Sequence, residues 1–347
     1  MRRLFPALAL TLFCLCLQSL AARAFEIEDR IRLGAEGGAV LSILSTTDIT
    51  AAEPLLRAFL EQRPDLAVDY IVASANSIHQ AIAEERLAYD LVISSAMDLQ
   101  IKLANDGFAL SQPDAAEVAG LPHWAHWRDL VFGFALEPVV IVASASAFDP
   151  GHLPRTRRDL IDALREDPER FRGRIGTYDP AASGAGYLFA TQDAGFGNAF
   201  WRLAEVMGRL DARLYCCSGD MIDDLATERL LVAYNVVGSY ALVSSAKGSD
   251  LIIIPPEDFT LLLIRTALVP KTAARPDLGT AFLEFLLSPA GQASLKGTPG
   301  MTPVRDATAD LPSSARTIRL DPGLLANLDR VRKSAFLVEW TAAMTQP

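Results

Sequence analysis

Hydroxyls, small side chains and turn-forming residues gather in one stretch, Gly173–Asp193, GRIGTYDPAASGAGYLFATQD. It reads as a short strand over Arg174–Tyr178, a polar turn, then a helix. Pro180 and the small residues after it suit the start of a helix, and Ser183 is the expected N-cap. Such a start leaves backbone N–H groups unpaired, with the positive end of the helix dipole behind them. Gly184 and Gly186 let an anionic or hydroxylated ligand come close to that backbone. The chemistry on offer is binding. An ordinary strand–turn–helix uses the same residues, so the reading depends on the rest of the chain.

Nothing else in the sequence supplies a reacting group. There is no nucleophile-elbow pattern, no HExxH and no phosphate loop with its lysine. Serines are plentiful, but the four histidines (His79, His123, His126 and His152) offer no evident base partner. His123 and His126 stand three apart, a spacing that shares a helical face, yet no third metal ligand accompanies them. The run Gly34-Ala35-Glu36-Gly37-Gly38 precedes its strand, whereas a dinucleotide loop follows one. The expectation is a protein without catalysis, metal or cofactor.

The first residues read as an export signal. Arg2 and Arg3 form a basic start, Leu4–Leu20 is apolar, and Ala22-Arg23-Ala24 matches the small-x-small cleavage pattern. Residues 1–24 are therefore expected to be removed, leaving Phe25 first in a soluble periplasmic chain. The net charge of −10 becomes more negative when Arg2, Arg3 and Arg23 are lost. An acidic chain of this kind carries no electrostatic footprint for nucleic acid. Cys216 and Cys217 are the cysteines left after cleavage. A bond between neighbours closes a strained ring, so a pair of small buried thiols at a strand end is expected.

The remaining length is enough for two lobes with separate cores. Val40–Leu44, Ala67–Val72 and Asp90–Ile93 read as strands alternating with helices, the first of them over Ala52–Glu61. A polar leader, Glu26–Glu36, precedes them. The three strands end in Ser45-Thr46-Thr47-Asp48, Ser74-Ala75-Asn76-Ser77 and Ser94-Ser95-Ala96-Met97-Asp98, and Ser95 with Asp98 has capping-box-like spacing. In open parallel sheets ligands bind beyond such carboxyl ends. Long β-rich runs near 132–143, interrupted by Glu137-Pro138, and near 259–269 bracket a self-contained α/β block. A long helix is expected over Leu324–Met344.

With this organisation the chain resembles the class II periplasmic solute-binding proteins of ABC transporters. It is most similar to the iron(III)-type branch, which includes sugar-phosphate binders and phosphoglycerate-type regulatory proteins. The residues that carry the likeness are GRIGTYDPAASGAGY (173–187), SGDMIDDLATERLLVAYNVVGSYAL (218–242), DFTLLLIRTALVPKTA (258–273), FLEFLLSPAGQ (282–292) and DLVISSAMDLQIKLANDGFA (90–109). The resemblance implies an α/β fold of the type II periplasmic-binding-protein kind, with two lobes joined by two crossing hinge strands. Residues 25–136 with 265–347 would form the first lobe and 137–264 the second. It implies a cleft formed by loops 45–48, 74–77, 94–96, 180–186, 218–220 and 234–239. The expected ligand-binding residues are Thr46, Thr47, Asp48, Asn76, Ser77, Ser94, Ser95, Ser183, Gly184, Ser218, Asn235 and Arg265. Arg265 would grip an anion or make an interlobe salt bridge. Asp48 and Asp220 would hold hydroxyls or cap helices.

The ligand implied by hydroxyls and helix N-termini is a small anionic solute, a phosphorylated organic compound or a carboxylate. The partner implied is an ABC permease, with a membrane histidine kinase as the alternative, and the protein would act as a monomer. Ferric binders of the branch carry adjacent tyrosines after the strand matching Leu230–Asn235. Here Tyr234 and Tyr240 stand apart, so Fe(III) is the weakest of the implied ligands.

Overall fold

The alternation of apolar runs and polar turns sets the order of elements. A computed structural model describes residues 25–113, 118, 120–307 and 311–345. The expected export signal, residues 1–24, lies outside them. The chain begins with β1 (Asp29–Gly34), β2 (Ala39–Ser45), α1 (Ile49–Gln62), β3 (Leu66–Val72), α2 (Ala75–Ala83), β4 (Leu91–Ser94) and α3 (Met97–Asn105). Next come β5 (His126–Trp127), β6 (Val131–Ser144), α4 (Arg157–Glu166), α5 (Pro168–Phe171), β7 (Ile175–Tyr178), α6 (Gly184–Gly195) and α7 (Ala199–Arg209). The second α/β unit is completed by β8 (Arg213–Tyr215), α8 (Ser218–Ala226), β9 (Val232–Val237), α9 (Gly238–Ala246) and β10 (Leu251–Ile254). Then follow β11 (Thr260–Leu268), α10 (Pro276–Leu287), α11 (Pro289–Leu295), β12 (Thr302–Pro303), β13 (Ala315–Thr317), a 3₁₀ helix Pro322–Leu328 and α12 (Arg330–Met344).

Strands β2, β3 and β4 are parallel, as helical crossovers between them require. In the second unit β7 is parallel to both β8 and β9. The two sets are linked in the order β1-β3-β2-β4-β11-β6-β9-β7-β8. The link is β6, which serves both lobes. Its Phe132–Pro138 half pairs with β11, and its second half pairs with β9 and β10. Pro138 has no N–H to give a ladder, and it stands where the strand changes partners. The other crossing runs from β10 through Pro255-Pro256 to β11. β11 itself lies wholly in the first sheet, between β4 and β6.

Two expectations change here. The polar leader contains β1, an edge strand antiparallel to β3. DRIRLG alternates charged with apolar residues, so Ile31 and Leu33 pack on the first core while Arg30 Nε donates to Asp69 Oδ1 at 2.7 Å. The long C-terminal helix is broken at Asp329, whose carboxylate caps α12 by accepting from Val331 and Arg332 N–H at 3.1 Å.

Three apolar clusters support the frame. One belongs to the first lobe (Leu41, Phe59, Phe282) and one to the second (Leu160, Phe200, Leu203). The third runs beneath both, from Val92 and Ile264 to Leu188 and Phe189. Trp340, Ala343 and Met344 of α12 join the second-lobe cluster rather than the first, to which the sequence reading had assigned 265–347. A side chain at Gly208 on α7 would sit 2.4 Å from Ala343 O, so this seat needs glycine. No helix among the described residues is long and apolar enough to cross a membrane.

Candidate functional site

The carboxyl ends of the parallel strands of both lobes face one another, and a cavity of about 610 Å³ lies between them. The first lobe contributes Thr46 and Asp48 after β2, Ser74, Ala75 and Ser77 after β3, and Ser95 after β4. The second contributes Ala182–Ala185 after β7, Cys216–Asp220 after β8, and Val237 and Tyr240 after β9. Glu26 and Glu28 enter from the segment before β1, and Asp223 from α8.

Helix starts are built as the local sequence dictates. Ser74 caps α2, accepting from Ser77 N–H at 3.1 Å and donating to Ser77 Oγ at 2.9 Å. Ser183 caps α6 by accepting from Gly186 N–H at 3.1 Å. α8 has Cys217 at its N-cap with no side-chain cap bond, so no side chain occupies its first N–H groups. First turns of α2, α6 and α8 thus line one polar cavity.

The lobes are in contact around it. Asn76 Nδ2 donates to Ala182 O at 2.6 Å, and the Tyr240 hydroxyl donates to Thr46 O at 3.1 Å. Gly184 makes a close approach: a Cβ there would stand 2.9 Å from Leu99 Cδ1 and 3.0 Å from Ala75 Cβ.

Of the residues expected from the sequence, Thr46, Asp48, Ser77, Ser95, Ser183, Gly184 and Ser218 line this cavity. Asn76 stands beside it as an interlobe bond. The other four are taken up elsewhere. Ser94 is buried and accepts from Ala96 N–H. Asn235, at φ +63°, turns its amide to Asp193 inside the second lobe. Arg265 is 1 % exposed and donates to Glu137 Oε1 at 2.5 Å and to Thr47 Oγ1. Thr47 also accepts from the Tyr70 hydroxyl through its carbonyl at 2.7 Å. This buried group ties β6 and β11 to the loop after β2, so Arg265 braces the floor. With Thr47 and Tyr70 it borders a separate cavity of 20 Å³.

Two helix-cap expectations also change. Asp48 is the N-cap of α1 but makes no capping bond, which leaves its carboxylate free. Ser95 does not cap α3. Its N–H donates to Thr46 Oγ1 at 3.1 Å, and Asp98 is buried.

Five carboxylates line the cavity (Glu26, Glu28, Asp48, Asp220 and Asp223), and no lysine or arginine does among its described lining. Burial raises the Glu28 carboxyl, reinforced by the charges of Asp48, Asp220 and Glu26. Burial likewise raises Asp48; Arg265 opposes this and Asp220 adds to it. Glu26, Glu28 and Asp223 were missed in the sequence. Only the alternation of DRIRLG, which extends the sheet to the cleft rim, would have pointed to the first two.

The cysteine expectation is overturned. Cys216 and Cys217 form a disulfide between neighbours, Cα atoms 3.8 Å apart, and they are exposed and half-buried rather than buried. Both line the cavity at the start of α8.

The profile of the family described as bacterial extracellular solute-binding protein matches residues 41–298. A substrate-binding protein of an ABC transporter from Agrobacterium tumefaciens is 31% identical, with 91% of this chain and 98% of that one covered and a TM-score of 0.86. Iron-bound HitA from Pseudomonas aeruginosa is 18% identical over 88% of this chain and 99% of its own, TM-score 0.67. AfuA from Actinobacillus pleuropneumoniae, solved with exogenous fructose-6-phosphate, is 16% identical over 90% and 100%, TM-score 0.70. The last two likenesses show the fold, that of type II periplasmic binding proteins. Comparison with curated protein sequences gave no match.

Proposed function

Because the chain belongs to the bacterial extracellular solute-binding proteins, which deliver small solutes to ABC permeases and are not enzymes, we propose that it holds its solute between the lobes, in the periplasm, after loss of residues 1–24. The observation that supports this most is the cavity itself: about 610 Å³, enclosed by loops of both lobes at the strand ends. That volume lies within the roughly 300–1,000 Å³ usual for small-molecule sites.

The solute carries an anionic group, a phosphate ester or carboxylate. It sits against the first turns of α2 and α6, within reach of Ser77, Ser183 and the backbone at Gly184. Asp48 and Asp220 accept hydrogen bonds from donors elsewhere on the same molecule. The lobes close about β6 and the β10–β11 passage, with residues 25–136 and β11 onward on one side and 137–264, joined by α12, on the other. The cavity is complete within one chain, which supports a monomer. The Fe(III) alternative finds no pair of adjacent tyrosines: Tyr234 is buried against Asp193 and Arg157, and Tyr240 shares the cavity lining with Tyr178, whose hydroxyl is bonded to Ser218.

A thermal-shift screen tests this reading with sugar phosphates, phosphoglycerates, di- and tricarboxylates, polyamines and Fe(III). A true ligand at a hundred times its Kd adds about 2.7 kcal/mol to stability. A shift with Fe(III) alone would overturn the proposal. Ser183→Trp should abolish binding while leaving the ligand-free fold intact.

A further inference from the structure

On the premise that the cleft is the solute site, we infer that the solute also carries a positively charged nitrogen, held between Asp48 of the first lobe and Asp220 and Asp223 of the second. The solute is then a zwitterion of the aminoalkyl phosphate or amino acid kind.

The argument starts from charge. Five carboxylates from three separate segments line the cavity without a basic side chain among its described lining. The nearby cations lie outside this lining: Arg265 is paired with Glu137 below the floor, from where its charge still reaches Asp48, and Lys247 borders an adjoining 170 Å³ pocket together with Asp48 and Asp223. Lobe contact sets like charges against each other. Asp48 lies close to the start of α8, where a Cβ at Gly219 would be 3.7 Å from its Oδ2, and Asp220 is the next residue. Burial raises the carboxyls of Glu28 and Asp48, and the charge of Asp220 adds to the rise in both. Repulsion across a half-buried cleft opposes closure, and a cation placed between the two sides turns it into a bridge.

A metal ion fits this arrangement poorly. Among the described residues, the one group of three donor atoms close enough for a single ion is Cys216, Cys217 and Asp220, and its two sulfurs are joined to each other. No three of the lining carboxylates bring their oxygens together among the described residues, and separated acceptors suit an ammonium or guanidinium making several hydrogen bonds. Tyr178 and Tyr240 line the same cavity, and ring faces attract organic cations. A second observation calls for the opposite charge on the same molecule. Ser183, 5% exposed, accepts from Gly186 and donates to no group among the described residues, so its hydroxyl proton is available to an acceptor on the solute.

Titration calorimetry of the exported chain with matched pairs tests this: phosphoethanolamine against ethylene glycol monophosphate, β-alanine against 3-hydroxypropionate, 1,4-diaminobutane against 1,4-butanediol, with Ca²⁺ and Mn²⁺ alone as further arms. The expected result is at least tenfold tighter binding of an amine than of its hydroxyl counterpart, a preference lost in both Asp48→Asn and Asp220→Asn. Two variants guard against one failing to fold. Equal or tighter binding of the hydroxyl compounds, no amine binding, or carboxylate-dependent binding of a metal alone would overturn the inference. Failure of the cleft premise looks different: an amine would bind Ser183→Trp as well as the parent. If Ser183→Trp abolishes binding while Asp48→Asn and Asp220→Asn keep the amine preference, only the inference falls.

Discussion

Gly184→Ala isolates interlobe closure from folding. The added methyl carbon would lie 2.9 Å from Leu99 Cδ1, 3.0 Å from Ala75 Cβ and 3.2 Å from Asn76 Oδ1, all on the opposite lobe. Parting of the lobes would carry all three atoms away from it. Overpacking of this degree costs about 1–3 kcal/mol, and the cost falls on the closed arrangement alone. A ligand that binds the closed state must overcome it, so affinity should drop by roughly 5- to 150-fold. Stability without ligand should hold or rise slightly, because alanine favours a helix more than glycine by up to ~1 kcal/mol. Calorimetry gives the affinity, thermal unfolding of the ligand-free chain gives the stability, and small-angle scattering gives the lobe separation with ligand present. Unchanged affinity with the lobes still closing would refute the claim that the close approach at Gly184 is needed for the lobes to meet.

Asp98 is buried, and burial pushes its carboxyl up from 3.8 to about 7. Between those values the folded state keeps a proton that the unfolded chain releases, so stability should fall as pH rises through that window and level off above it. The total is at most about 4 kcal/mol, and Asp98→Asn should flatten the profile in urea titrations from pH 4 to 8. Glu137→Gln strands the buried Arg265 and should cost roughly 3–5 kcal/mol, whereas Glu137→Leu with Arg265→Met should recover much of it. Reducing Cys216–Cys217 with a dithiol should change stability by less than ~1 kcal/mol, since a bond between neighbours closes no long loop. Solute affinity should change measurably, because both sulfurs line the cavity.

Much of the site was legible because it is local. The Ser/Thr/Asp clusters at three strand ends, the Ser183 cap and the close approach at Gly184 follow from residues a few positions apart. What was not legible depends on partners far along the chain. Arg265 reads equally as an anion clamp or a salt-bridge partner, and only Glu137, 128 residues away, decides for the salt bridge. Asn235 looks like a cleft residue until its left-handed backbone turns the amide to Asp193. Asp98 has capping-box spacing, but Ala96 becomes the N-cap of α3 and the carboxyl is buried. The carboxylates of the segment before β1 reach the cleft only because that segment leads into an edge strand antiparallel to β3, which a charged alternating hexamer signals weakly. The disulfide joins residues whose adjacency argued against it.

The central claim is that one solute is gripped by both lobes at once. Hydrogen–deuterium exchange of the mature chain, with and without the tightest-binding solute of the screen, tests it directly. The account predicts simultaneous protection of 74–77 in the first lobe and of 183–186 and 216–220 in the second, with the outer face of α12 unchanged. Protection confined to one lobe, or appearing only outside the cleft, would contradict it.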